Sequence, residues 1–162
     1  MPDIPAPDLT LALFQPDIPQ NAGTMLRACA CLGLDAAIVQ PAGFPVSDRH
    51  FRRAGMDYLD LVPIARHASW AAFEAWRAQS GRRLVLLTTR GATSHAAFAF
   101  APGDILMVGR ESAGAPEEVH AAADARVTIP MRAGARSLNV AVAAAIVMGE
   151  ALRQIRWADA KG

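Results

Sequence analysis

Five short runs of this chain are apolar almost without interruption: LTLALF (9–14), AAIVQ (36–40), RLVLLTT (83–89), ILMVG (105–109) and VTIP (127–130). A strand with one face in water alternates polar and apolar residues, whereas an unbroken apolar run is buried on both faces. Segments with helical spacing separate these runs, so the pattern predicts α/β architecture: a parallel sheet with helices on both faces. Ligands in such folds bind beyond the carboxyl ends of the strands. That rule directs attention to TTRG (88–91), GRESAGAP (109–116) and PMRAGARS (130–137), each of which follows a strand.

The remaining elements are read from breakers and caps. DIPQNAG reads as a turn, followed by a helix over 24–32. Ser47 is placed to cap a helix through DRHFRRAG, and 58–64 reads as a weaker strand. A helix is expected over 70–78, with Trp70, Phe73 and Trp76 near one face. Pro116 suits the first position of a helix whose next residues, Glu117 and Glu118, complement its positive end. The last helix is expected over 137–155, capped by Ser137 or Asn139.

A chain of 162 residues, 52% apolar and 19% charged, is expected to form one domain, over 9–157. The opening MPDIPAPD has no basic region and reads as a flexible tail (1–8) rather than a signal peptide. No apolar stretch is long enough to span a bilayer, so the expected location is the cytoplasm. A net charge of +1 excludes nucleic-acid binding by bulk charge alone but leaves room for a local basic patch. Cys29 and Cys31 lack the CxxC spacing, and the four histidines form no HExxH, so no metal site is expected.

The familiar catalytic and nucleotide signatures are missing. FQPDIPQNAG stands where a GxGxxG would follow the first strand. Gly109 and Gly114 have phosphate-loop spacing, but Ala115 and Pro116 replace the Lys-Ser/Thr that would meet phosphate and Mg²⁺. No Ser sits in a GxSxG elbow. Glycine-rich loops with arginines and no acid–base pair suit a reaction catalysed by placement and charge, with the chemistry carried on a cofactor. Residues 140–148 are apolar on every side, and such a helix must be covered all round. The sheet on one side and a second copy of the chain on the other would do so, predicting a homodimer; a central helix in a monomer is the alternative.

Three segments, in order, resemble the motifs of SPOUT-class RNA 2′-O-methyltransferases. They are PQNAGTMLRAC (19–29) with Asn21, Gly23 and Arg27; LMVGRESAGAP (106–116) with Gly109, Glu111, Gly114 and Pro116; and IPMRAGARSLNVAVAAAI (129–146) with Pro130, Ser137, Leu138 and Asn139. The FRRAGMDY core of 41–60 is similar to the small tRNA wobble-nucleotide enzymes of the TrmL type. The resemblance implies a C-terminal trefoil knot, an obligate dimer, S-adenosylmethionine as methyl donor with S-adenosylhomocysteine as product, and position 34 of tRNA as target. It implies cofactor contacts at Leu87, Gly109, Ile129 and Ser137, with Thr88, Glu111, Met131 and Leu138 nearby. Asn21, Arg27, Ser137 and Asn139 would serve catalysis. Because a guanidinium stays protonated, Arg27 is expected to grip a phosphate and stabilise a developing alkoxide rather than act as a base. Arg49, Arg52 and Arg53, with Arg132 and Arg136 in the third motif, are candidate RNA contacts; Arg66 and His67 extend the basic run. The chain departs from the wobble group at Gly149, where a tyrosine would precede Glu150-Ala151. Activity on another tRNA position or on rRNA, or RNA binding without catalysis, are the alternatives. The intact Asn21, Arg27 and Ser137-Leu138-Asn139 speak against loss of catalysis.

Overall fold

A computed structural model describes residues 8–90 and 93–157. The tail expected over 1–8 lies, except for Asp8, outside the described residues, as does Gly91 of the TTRG loop. The strands are β1 (Leu9–Phe14), β2 (Asp35–Val39), β3 (Ile64–His67), β4 (Leu84–Leu87), β5 (Thr93–Ser94), β6 (Asp104–Val108) and β7 (Ala125–Thr128). The helices are α1 (Pro19–Leu32), α2 (Arg49–Gly55), α3 (Trp70–Ser80), α4 (Glu117–Ala122) and α5 (Val140–Leu152). One seven-stranded sheet runs in the order β3-β2-β1-β6-β4-β7-β5, every pair parallel.

Alternation along each strand assigns the two faces. Leu9, Leu11 and Leu13 of β1 join Ile38, Leu106, Val108 and Val127 in a core covered by α1 and α5 through Met25, Leu26, Ala144, Val147 and Met148. Ala12 and Phe14 turn to the other face, where Phe73 of α3 and Val119 of α4 cover Leu84, Leu86, Ile105 and Met107. Burial on both sides is why these strands lack polar alternation. Where charge is buried at the strand starts it is paired: Asp104, 2% exposed, accepts two hydrogen bonds from Arg83 at 2.9 and 2.7 Å.

Three local readings are corrected. The segment DIPQNAG is not all turn, because α1 already begins at Pro19, which needs no amide partner in a first helical turn. Gly23 lies within that helix, and it is glycine because α2 crosses so close that a Cβ there would lie 2.5 Å from the Phe51 carbonyl oxygen. Asp48, not Ser47, caps α2, its carboxylate accepting from the amides of His50 (2.8 Å) and Phe51 (3.1 Å). The strand expected over 58–64 is a 3₁₀ turn, Met56–Asp60, followed by β3. Leu59 and Val62, both buried, stand three residues apart, a helical spacing that a run this short does not distinguish from strand alternation.

At the C-terminus, α5 starts at Val140 with Asn139 as its cap and passes after Leu152 into a wide π-type turn, Arg153–Trp157. No described helix is long and apolar enough to cross a membrane.

Candidate functional site

The order of the strands places β4, β6 and β7 side by side, so the loops leaving their carboxyl ends meet. Between them lies a cleft of about 620 Å³. Its walls include Leu87 at the end of β4 and Thr88 after it, Gly109 and Glu111 after β6, and Ile129, Met131, Ser137 and Leu138 after β7. All eight residues expected around a cofactor thus border one space.

Gly109 shows why the β6 loop can line it. A Cβ at that position would stand 2.5 Å from the Ala115 amide nitrogen and 2.6 Å from the Gly114 carbonyl carbon, so only glycine lets the loop fold onto itself there. Gly114 closes the hairpin at φ 65°, exchanging backbone hydrogen bonds with Arg110. Leu87, Val127, Ile129, Leu138 and Val147 give the cleft apolar walls, while backbone groups of three loops supply its polar edge. Volume and lining suit a small molecule with a flat apolar part and a polar rim.

Asn139 joins the third motif to the first. Its Oδ1 accepts from the amides of Ala141 (2.8 Å) and Val142 (3.3 Å), which caps α5. That fixes the orientation of the amide, and Nδ2 then donates to Asn21 Oδ1 at 3.1 Å, across 118 residues of chain. Asn21 and Asn139 both border the cleft, and so does Ser137. Arg27 does not. It lies on the exposed side of α1, its Nη1 donating to Met56 Sδ at 3.1 Å and its guanidinium 5.0 Å from the centre of the Tyr58 ring.

The candidate RNA-contacting arginines form two exposed groups. Arg49, Arg52 and Arg53 belong to α2, with Arg52 Nε donating to the Val46 carbonyl at 3.0 Å; Arg132 and Arg136 stand in the loop before α5. None of the five has a carboxylate partner within ion-pair distance among the described residues. At Gly149, nothing beyond the backbone of its own helix lies within 4 Å of the point a Cβ would occupy, so a side chain there would begin in open space.

The motifs single out Glu111 but not the residue that holds it. Asp17, in the loop after β1, and Glu111, in the loop after β6, clasp each other. The Asp17 amide donates to Glu111 Oε2 (3.1 Å), the Glu111 amide donates to Asp17 Oδ1 (3.0 Å), and the Ser112 hydroxyl donates to Asp17 Oδ2. The hydrogen bond with the Glu111 carboxyl holds Asp17 down at about 2. Burial, reinforced by that same bond, pushes Glu111 up to about 7. Glu111 Oε1 is buried without a partner among the described residues. The buried His120 also borders the cleft, and burial lowers its pKa. An aspartate just past the carboxyl end of the first strand was the only available hint of the clasp, because its partner lies 94 residues away.

Against known proteins, a profile of the SpoU rRNA Methylase family matches residues 8–149. A relative from Beijerinckia indica subsp. indica, named tRNA (cytidine(34)-2′-O)-methyltransferase, is 70% identical over 145 residues, covering 90% of this chain and 91% of its own. A solved structure described as giving structural insights into the 2-OH methylation of C/U34 on tRNA superposes with a TM-score of 0.86 at 42% identity, over 90% of this chain and 95% of that one. The SpoU methyltransferase AviRb from Streptomyces viridochromogenes, in complex with AdoMet, superposes with a TM-score of 0.84 at 28% identity, over 93% of this chain and 62% of that one. With the cleft, the three motifs that build it and these likenesses together, the chain belongs to the SpoU methylase family.

Proposed function

We propose that this protein methylates the ribose 2′-hydroxyl of the wobble nucleotide of tRNA, cytidine or uridine 34, using S-adenosylmethionine and releasing S-adenosylhomocysteine. The observation that carries the reading is the meeting of all three motifs at one cleft, closed by the Asn139–Asn21 hydrogen bond. The 70% identity to a relative bearing that activity in its name supports the choice of substrate.

The residues present fit the cofactor. The β6 loop, folded tightly at Gly109, leaves room for a ligand against backbone groups, and Leu87, Ile129 and Leu138 offer apolar walls to a flat base. When bound, the sulfonium supplies a methyl group already activated for transfer. The protein's part is to place the 2′-oxygen and to stabilise the charge it acquires, and well-oriented placement is worth up to about 7–11 kcal/mol. Asn21 and Asn139 fix the junction of α1 and α5 at the mouth of the cleft. Arg27, without a carboxylate partner among the described residues, holds the neighbouring phosphate and stabilises the alkoxide. Arg49, Arg52, Arg53, Arg132 and Arg136 would take further phosphates, so affinity for tRNA falls steeply as salt rises.

The same reading extends to the whole molecule. A single domain spans 9–157 and works in the cytoplasm. Beyond β4 the chain runs to the edge at β5, returns to β6 beside β1, then inserts β7 between β4 and β5. That interleaving supports a trefoil knot, an exception to the rule that connections do not thread. The exposed Val142 (48%) and Ile146 (38%) of α5, with Leu138 and Ile18 also exposed in or beside the motifs, support a homodimer.

The test is methyl transfer from labelled S-adenosylmethionine to bulk tRNA lacking wobble 2′-O-methylation, mapped by nuclease digestion and mass spectrometry. Label at ribose 34 is expected. Label at another nucleotide, or on rRNA alone, would overturn the assignment of substrate.

A further inference from the structure

The FRRAGMDY segment has no part in the cleft, yet it is packed with unusual closeness onto α1. A Cβ on Gly23 would lie 2.5 Å from the Phe51 carbonyl oxygen, 2.7 Å from Ala54 Cβ and 2.9 Å from the Gly55 amide nitrogen. Backbone contact at that range fixes where α2 ends relative to Arg27, one turn further along α1. The chain then leaves α2 through Met56 at φ 52° and ψ −148°, a conformation that residues with a Cβ rarely adopt. Strain of this kind persists only where the surroundings impose it, and it clusters at functional sites.

The strained turn puts two side chains against Arg27. Met56, itself 53% exposed, offers its Sδ to Nη1 at 3.1 Å. The half-buried Tyr58, the single tyrosine of the chain, sets its ring centre 5.0 Å from the guanidinium carbon. The Tyr58 hydroxyl has no hydrogen-bond partner among the described residues, so the ring, not the hydroxyl, is what Arg27 meets. A guanidinium has five N–H donors, and Met56 takes one. The charge itself is not neutralised by any described carboxylate.

We propose that Met56 and Tyr58 are positioning residues: they hold the Arg27 guanidinium in one orientation, by ring face and sulfur rather than by a carboxylate, so that its charge is preserved for the RNA phosphate. A carboxylate would fix the arginine equally well but would cancel the charge the reaction needs. The inference rests on the reading of Arg27 as the group that meets the RNA.

Single-turnover methyl transfer on full-length protein with tRNA separates the two ideas. Tyr58→Ala should slow transfer by about 3- to 30-fold, the span expected of a cation–π contact, with affinity for S-adenosylhomocysteine unchanged. Tyr58→Phe, which keeps the ring, should restore the rate. In an Arg27→Ala background, Tyr58→Ala should have no further effect. Met56→Gly should raise the unfolding midpoint, because glycine accepts the positive φ, and yet slow transfer. If Arg27→Ala transfers methyl at the wild-type rate, the reading of Arg27 falls and the inference with it. If Arg27→Ala is slow but Tyr58→Ala is not, or if Tyr58→Ala costs as much without Arg27 as with it, only the positioning role is overturned.

Discussion

Asn139 does two things that can be separated by substitution. Its Oδ1 caps α5 through two amides, and its Nδ2 holds Asn21 of α1. Replacing an asparagine cap by alanine costs about 1 kcal/mol. Losing one modest hydrogen bond to Asn21 adds about 0.5–1.5 kcal/mol. Asn139→Ala should therefore destabilise the fold by about 2 kcal/mol, which in a domain of this size lowers Tm by about 4–8 °C. Asn139→Ser keeps a side-chain acceptor at the cap, where serine serves about as well as asparagine. Its shorter side chain does not reach Asn21, so it loses only that bond, and its Tm should fall by about 3 °C. Both variants sever the two motifs and should lose methyl transfer to a similar degree. Thermal unfolding followed by circular dichroism, beside an activity assay, reads both quantities. Equal Tm values for the alanine and serine variants would refute the cap, and a serine variant of full activity would refute the role given to the Asn21 bond.

Further outcomes follow from the same geometry. Glu111 stands at about 7 in the folded chain against an ordinary value of 4.5, so between those pH values the folded form holds the extra proton; stability should fall as pH rises from about 4.5 to 7, and Glu111→Gln should remove that fall in denaturant titrations. Asp17 runs the other way: its carboxyl is held at about 2 against an ordinary 3.8, so the stability it adds is present above 3.8 and is lost as pH drops toward 2. Gly109→Ala forces the β6 loop backbone apart at contacts of 2.5 and 2.6 Å and should weaken S-adenosylhomocysteine binding at least about tenfold by calorimetry, with about 1–3 kcal/mol lost from the fold. Val142→Glu with Ile146→Glu should convert a dimer to a monomer in sedimentation equilibrium, and an unchanged mass would remove α5 from the interface.

The strands were legible because a strand buried on both faces has no solvent-facing positions to alternate, and LTLALF is buried at all six residues. The loops after them were legible by the rule that ligands sit at strand carboxyl ends, and that rule together with the motifs gathers Leu87, Gly109, Ile129 and Ser137. What the sequence hid depends on contacts between distant segments. The start of α1 looked like a turn because Gly23 and Pro19 are turn residues in isolation; the reason for the glycine is the Phe51 carbonyl, and that is a tertiary fact. The Asp17–Glu111 clasp, too, exists only once β1 and β6 are neighbours. Met56 gave no sign of its positive φ, since side-chain identity argues against it. Arg27 was singled out by its motif, but its setting on Met56 and Tyr58 could be read only from the packed helices.

The central claim is that the methyl group goes to one oxygen atom, the 2′-oxygen of nucleotide 34. The most direct measurement compares two synthetic tRNAs that differ only in that atom, one carrying cytidine and the other 2′-deoxycytidine at position 34, each incubated with the protein and labelled S-adenosylmethionine. The account predicts label in the first and none in the second, with the two bound equally well. Equal labelling of both would place the methyl elsewhere and contradict it.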